Sequence, residues 1–252
     1  MGGRNALVVG APRSGTSMAA HVFARQGYFT AHDESELARA DRHNRGGYWE
    51  AKWLVRANVE VFREVGYTHH NTWLHEPMPE STARLIADLE PLPGHRELVQ
   101  SYQQRAPWLW KDPRLCYTLG YWWKLMPPES TCVLLIERDL EHVFQSFVRM
   151  SWRENTPAAR EETIARLGAH MTAARRAIAE LDIPHVAVTY EDFERSTDRV
   201  AGEIAAAFDI PLEAPDLGFV ARRNHSHDHL RGRLSTRVQR SLTVVNQLLH
   251  GR

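Results

Sequence analysis

The apolar run Ala6-Leu-Val-Val9 leads into Gly10-Ala-Pro-Arg-Ser-Gly-Thr-Ser17 and then into Met18, Ala19, Val22 and Phe23 at helical spacing; no other stretch constrains the fold as much. A short, uninterrupted apolar run suits a parallel strand buried on both faces, and the stripe after it suits one face of a helix. Between them, two glycines permit a tight turn whose N–H groups, together with the next helix N-terminus, face an anion. A glycine-rich turn can be a mere connection, but strand, loop and helix stand here in the order a phosphate-binding loop requires. The nucleoside triphosphatase form of that loop, G-x-x-x-x-G-K-[ST], places a lysine after its second glycine to reach the terminal phosphates. This chain has Thr16 there, and Arg13 brings positive charge from inside the loop. The loop therefore predicts a phosphorylated ligand other than ATP.

Downstream, hydrophobic periodicity predicts a helix over 48–65 and another over 79–92, the second opened by Pro and Ser residues. Trp108 to Lys111 reads as a short strand stopped by Asp112-Pro113, and Cys132 to Ile136 as a buried strand. A helix with Leu140, Val143, Phe144, Phe147 and Val148 on one face follows. The longest predicted helix, Pro157 to Asp182, carries Ile164, Leu167, Met171, Ala174, Ile178 and Leu181 as a stripe that suits packing on a sheet better than a dimer seam. His185 to Thr189 reads as a fourth strand. Strands alternating with helices predict an α/β chain with a central parallel sheet flanked by helices, and 252 residues without an evident linker suit a single domain, 1–252. Ligand groups in such sheets gather at the carboxyl ends of strands. Those ends carry Arg13 and Ser14, Lys111 to Arg114, Glu137-Arg138-Asp139, and Tyr190-Glu-Asp192, so cations from three ends point to a ligand with several anionic groups.

Lys plus Arg and Asp plus Glu number 31 each, so no global field favours nucleic acid or a membrane, and any anion site is local. Cys116 and Cys132 lie in apolar segments that read as a helix start and a strand, which suits buried free thiols. No apolar run is long enough to span a bilayer, the N-terminal one is too short for a signal-peptide core, and a cytoplasmic location is expected. His225-Ser-His-Asp-His229 is a single short cluster with no matching ligand pair elsewhere, so no metal is expected. Arg222, Arg223, Arg231 and Arg233 form a basic C-terminal cluster.

Taken together, these segments resemble the sulfotransferases that use 3′-phosphoadenosine 5′-phosphosulfate (PAPS). Gly10 to Ser17 is similar to their 5′-phosphosulfate loop, and Ile136-Glu-Arg138-Asp-Leu-Glu-His-Val-Phe-Gln-Ser146 to their 3′-phosphate motif. Asn44-Arg-Gly-Gly-Tyr-Trp-Glu50, Lys111-Asp-Pro-Arg-Leu115 and Val188-Thr-Tyr-Glu-Asp-Phe193 are similar to segments of the bacterial branch. The resemblance covers about 5–212, leaves 213–252 as a C-terminal extension, and implies the P-loop nucleotide-kinase-like fold of that family. Arg13 stands where the cytosolic animal enzymes usually have lysine, as in the Golgi tyrosylprotein branch. Their glycine-rich R-K-G segment and their histidine base have no clear counterpart here.

The resemblance implies roles. Arg13, Ser14, Gly15, Thr16 and Ser17 would hold the 5′-phosphosulfate, and Arg138 with Ser146 the 3′-phosphate. Lys111 would offset charge on the leaving oxygen; an ion pair with Asp112 or another acid is its structural alternative. Glu50 and Glu34 are the two candidates for the base, with Glu50 preferred. The expected reaction is in-line sulfuryl transfer, without a metal, to a hydroxyl or amine of a small-molecule or carbohydrate acceptor. Trp49, Trp53 and Trp73 fall where the acceptor pocket usually lies. Two other readings are a P-loop kinase or ATPase, opposed by Thr16 and by the lack of a Walker-B run, and a non-catalytic nucleotide-binding protein. Neither the acceptor's identity nor the oligomeric state follows from the sequence.

Overall fold

Strand β1, Asn5–Val9, is buried along its whole length and forms the middle of the molecule. The structure, a computed structural model, describes residues 3–41, 44 and 46–217. Among them a four-stranded, all-parallel sheet has the order β2-β1-β3-β4, with β2 at Leu109–Lys111, β3 at Thr131–Glu137 and β4 at His185–Thr189. Both faces of such a sheet must be covered by helices, and the period-2 alternation of β1 and β3 assigns side chains to each. Leu7, Val9, Val133 and Leu135 face one apolar cluster, while Ala6, Val8, Cys132, Leu134 and Ile136 face the other. Asn5 pins the β2 edge: its Oδ1 accepts from the Trp108 N–H (3.2 Å).

The second cluster is roofed by α1 (Thr16–Arg25) and by later helices. The first takes α2 (Lys52–Glu64), α3 (Glu80–Asp88), α4 (His95–Gln103), α5 (Leu115–Trp123), α6 (Leu140–Arg149) and α7 (Pro157–Glu180). Two further helices, α8 (Asp192–Arg195) and α9 (Thr197–Phe208), follow β4 and help close the α1 side. This is the α/β architecture the sequence predicts. Leu167, Met171, Ala174 and Ile178 of the predicted α7 stripe lie in the core, packed with α5 and α6, whereas Leu181 is beyond the helix and exposed. Cys116 and Cys132 are both buried and free.

The structure differs from the sequence reading at several points. The helix expected from residue 48 begins at Lys52, because Gly47 (φ 85) and Trp49 (φ 58) take left-handed backbone and Ala51 is extended. The helix expected to reach 92 stops at Asp88, with Leu89 extended and Pro91 just beyond. In the region read without an element, α4 forms with His95, Val99 and Tyr102 inward. Among the described residues no helix is long and apolar enough to cross a membrane. The histidine cluster at 225–229 and the arginines at 222–233 lie outside the described residues.

Candidate active site

The strand order reverses direction at β1: the chain leaves it for β2 on one side and returns to β3 on the other. A ligand crevice is expected at such a point, above the carboxyl ends of β1 and β3. The Gly10–Ser17 loop occupies it. A Cβ on Gly10 would sit 2.5 Å from the Ile136 carbonyl, so only glycine lets the loop lie this close to β3. Gly15 (φ 100) needs the freedom for two reasons, since a Cβ there would also meet the Tyr190 ring at 2.5 Å. Ser14 is buried, and both its N–H (3.2 Å) and its hydroxyl (2.7 Å) donate to the Ala11 carbonyl, closing the turn. Thr16 opens α1, and the first bond to the Gly15 carbonyl comes from the Ala19 N–H (3.1 Å). The amides before it are those a helix start leaves for an outside acceptor. Ser17 Oγ lies 3.5 Å from the Tyr48 carbonyl.

Arg13, Arg138 and Ser146 come together across the crevice. Arg13 Nε donates to Ser146 Oγ (3.2 Å), and Arg138 Nη1 donates to the Arg13 carbonyl (3.0 Å). Arg138 stands at the end of β3, and Ser146 lies on the buried side of α6, whose N-terminus is capped by Asp139 through the N–H groups of Glu141 and His142. The Arg138 guanidinium lies 4.0 Å from the centroid of the Tyr190 ring. Its Nε is 4.0 Å from Glu191 Oε1, beyond hydrogen-bonding range, and that buried Nε has no hydrogen-bond partner among the described residues. Tyr190, present in the sequence only as a tyrosine at a strand end, thus buttresses both the loop glycine and Arg138.

On the β2 side, Lys111 and Glu50 meet. The Nζ of Lys111 lies 2.6 Å from Glu50 Oε1, with the two side chains only 3% and 16% exposed. Asp112 is engaged by Arg114 (3.0 Å), so of the acids weighed for Lys111 it is Glu50, distant in sequence, that pairs with it. Glu50 is placed by backbone: its carbonyl accepts from the Ala38 N–H (2.8 Å), and Ala51 bridges to Leu37, fixing the two residues just before α2. Burial holds the Glu50 carboxyl above the ordinary carboxylate value, opposed by Lys111. Glu34 lies apart, exposed in the 3-10 turn Glu34–Glu36. Trp53 is bound into the core through Tyr102 (2.6 Å) and Trp49 packs edge-on to His21, while Trp73 lies under the Arg114 guanidinium (5.2 Å). Among the described residues no group of three or more His, Cys, Asp or Glu side chains is placed to hold a metal ion.

The arrangement thus offers a backbone cradle, two arginines and a serine for a multiply anionic ligand, beside a buried acid–base pair. The sequence profile described as the Sulfotransferase family matches residues 6–214. Among solved structures, the chain is similar to sulfotransferase STF1 from Mycobacterium tuberculosis H37Rv, at 14% identity and a TM-score of 0.50 over 87% of this chain and 70% of that one. It is also similar to the sulfotransferase domain of the Synechococcus PCC 7002 olefin synthase, at 15% identity and a TM-score of 0.48 over 84% of this chain and 75% of that one. No curated protein sequence matches the chain significantly. Since the profile runs from β1, ahead of the loop, to beyond α9, the chain belongs to the sulfotransferase family.

Proposed function

We propose that this sulfotransferase takes its sulfuryl group from PAPS and passes it to a hydroxyl or amine of a small-molecule or carbohydrate acceptor. The observation that carries the choice of donor is the meeting of Arg13, Arg138 and Ser146 at the crevice, with a buried Arg138 Nε left without a partner among the described residues, next to a loop that has Thr16 in place of the ATP-reaching lysine. These groups fit a nucleotide with phosphate at two positions. Arg13, Ser14, Gly15, Thr16 and Ser17 would hold the 5′ end, through loop and helix-start amides and the guanidinium, and Arg138 with Ser146 the 3′-phosphate. The donor supplies an activated sulfuryl group on a phosphate leaving group.

The chain's own residues supply the rest. Glu50, a desolvated carboxylate with raised proton affinity, accepts the proton of the attacking hydroxyl. Lys111 spends one of its three N–H donors on Glu50, leaving others to steady the oxygen on which negative charge grows. The same contact holds the carboxylate and the ammonium in fixed relation, so the acceptor oxygen and the leaving oxygen are served from opposite ends of one pair.

Incubation with PAPS and a panel of hydroxylated metabolites, read by mass spectrometry for a sulfuryl mass gain, tests the reaction. Adenosine 3′,5′-bisphosphate is expected to raise the melting temperature, since a ligand at a hundredfold excess over its dissociation constant stabilises by about 2.7 kcal/mol. ATP with magnesium is expected to do far less, and equal shifts from the two would sink the choice of donor.

A further inference from the structure

Helix α7 buries more than its apolar stripe: Thr163, Arg166 and His170 on it are buried as well. Arg166 is 4% exposed. Its Nη2 donates to Glu162 Oε2 (3.1 Å) and lies 3.5 Å from Glu76 Oε1, while its Nε and Nη1 are buried with no acceptor among the described residues. Arg153, after α6, repeats the pattern. Its Nη2 donates to the Leu74 carbonyl (2.7 Å), and its buried Nε has no acceptor among the described residues. Both arginines are anchored on one short stretch, Arg153 at the Leu74 carbonyl and Arg166 at Glu76, and burial first, then the charge of Arg166, hold Arg153 below the ordinary arginine value. His75, ring-stacked on His69 at 4.2 Å, is within reach of both charges.

Buried donors left without acceptors are costly, more so when charged. The nearby carboxylates do not meet this need. The side chains of Glu76 and Glu162 are 88% and 54% exposed and engage Nη2 alone. Two arginines on one stretch with buried, unpartnered N–H groups suit a planar or tetrahedral oxyanion, which guanidiniums bind through paired donors. The same stretch, 70–76, also ties the cluster to Arg114, which follows Lys111 closely in the chain. Arg114 donates to the His70 carbonyl (2.9 Å), and the same segment supplies Thr72, bonded to His170 (2.6 Å) one turn along α7 from Arg166.

We infer that the acceptor carries a carboxylate, phosphate or sulfate group, held by Arg153 and Arg166, while its hydroxyl reaches the Lys111–Glu50 pair. This deepens the transfer reading above and rests on it. The test offers acceptors in matched pairs, such as 4-hydroxyphenylacetate against 4-hydroxyphenylethanol and methyl glucuronide against methyl glucoside. The wild-type protein is expected to favour the anionic members in kcat/KM by about tenfold or more, the loss typical of a charged hydrogen bond. Arg153→Gln and Arg166→Gln are expected to remove that preference chiefly through KM, leave the neutral members unchanged, and keep the melting shift given by adenosine 3′,5′-bisphosphate. Arg166→Lys, which keeps the charge, is expected to retain part of the preference and replaces Arg166→Gln if that variant does not fold. Equal use of both members, or an equal loss for both in the variants, overturns the inference. If no acceptor gains a sulfuryl group, the transfer reading fails by itself. Equilibrium binding of the same pairs to bisphosphate-loaded protein then decides: anion-dependent binding lost in Arg153→Gln upholds the anion site, and absence of such binding removes it.

Discussion

Replacing Glu50 by glutamine separates what the buried pair does for stability from what it does for turnover. The 2.6 Å approach of Lys111 Nζ to Glu50 Oε1 corresponds to an attraction of about 6 kcal/mol at an effective dielectric near 20, before the cost of removing both ions from water is deducted. Glutamine keeps the shape but leaves the ammonium, only 3% exposed, against a neutral amide. Breaking a buried pair from one side costs roughly 3–5 kcal/mol, whereas replacing both members by uncharged groups is often neutral. At roughly 2–4 °C per kcal/mol for a domain of this size, the single variant is expected to melt about 6–20 °C lower. Adding Lys111→Met removes the stranded charge and is expected to restore most of that loss. Turnover follows a different course: Glu50→Gln is expected to lose about 10²-fold or more, and the double variant not to recover it. The assay is thermal unfolding of the wild type, both single variants and the double variant, with kcat measured where each is folded. If the stability losses simply add, the two side chains are not energetically paired. If Glu50→Gln turns over normally, the proton is accepted elsewhere.

Because burial raises the Glu50 carboxyl, its protonation on acidification begins at a higher pH than for a free glutamate, so the acid limb of kcat is expected above the usual carboxylate range and is expected to vanish in whatever activity Glu50→Gln retains. Glu34→Gln, at an exposed site in the 3-10 turn, is expected to change kcat little, and a large loss would move the base there. Arg138→Ala is expected to weaken bisphosphate binding in calorimetry far more than it lowers kcat at saturation, because a 3′-phosphate keeps its charge throughout transfer. Gly15→Ala, with φ 100 and a Cβ 2.5 Å from the Tyr190 ring, is expected to abolish the bisphosphate melting shift.

The strand, loop and helix at the N-terminus were legible because each rests on a local pattern: an apolar run, paired glycines and a helical stripe. Arg138 and Ser146 were legible for the same reason, lying on one strand end and the helix after it. The true start of α2 was not, since the left-handed turn at Gly47 and Trp49 leaves the apolar periodicity unchanged. The body of α5 hides differently, because Leu115 through Trp122 are all buried and leave no polar face to mark a period. For α4, two of its three inward residues are His95 and Tyr102, which an apolar stripe does not count. Lys111 and Glu50 were each singled out, yet their pairing spans a separation of 61 residues and only the fold creates it. Arg153 and Arg166 escaped because charged residues are read as surface by default, and nothing local marks a buried one.

Arg138 reaches the loop through the carbonyl of Arg13, not through its side chain. A main-chain acceptor does not depend on the guanidinium, so this tie between β3 and the loop asks of position 13 only a residue that tolerates its left-handed backbone, φ 68. The framing of the crevice and the cation it presents are therefore separable in evolution. A lysine at that position, the choice of the cytosolic animal enzymes, would leave the tie to Arg138 in place and alter only the reach and shape of the charge offered to a ligand. The frame can be inherited while the chemistry of the loop drifts.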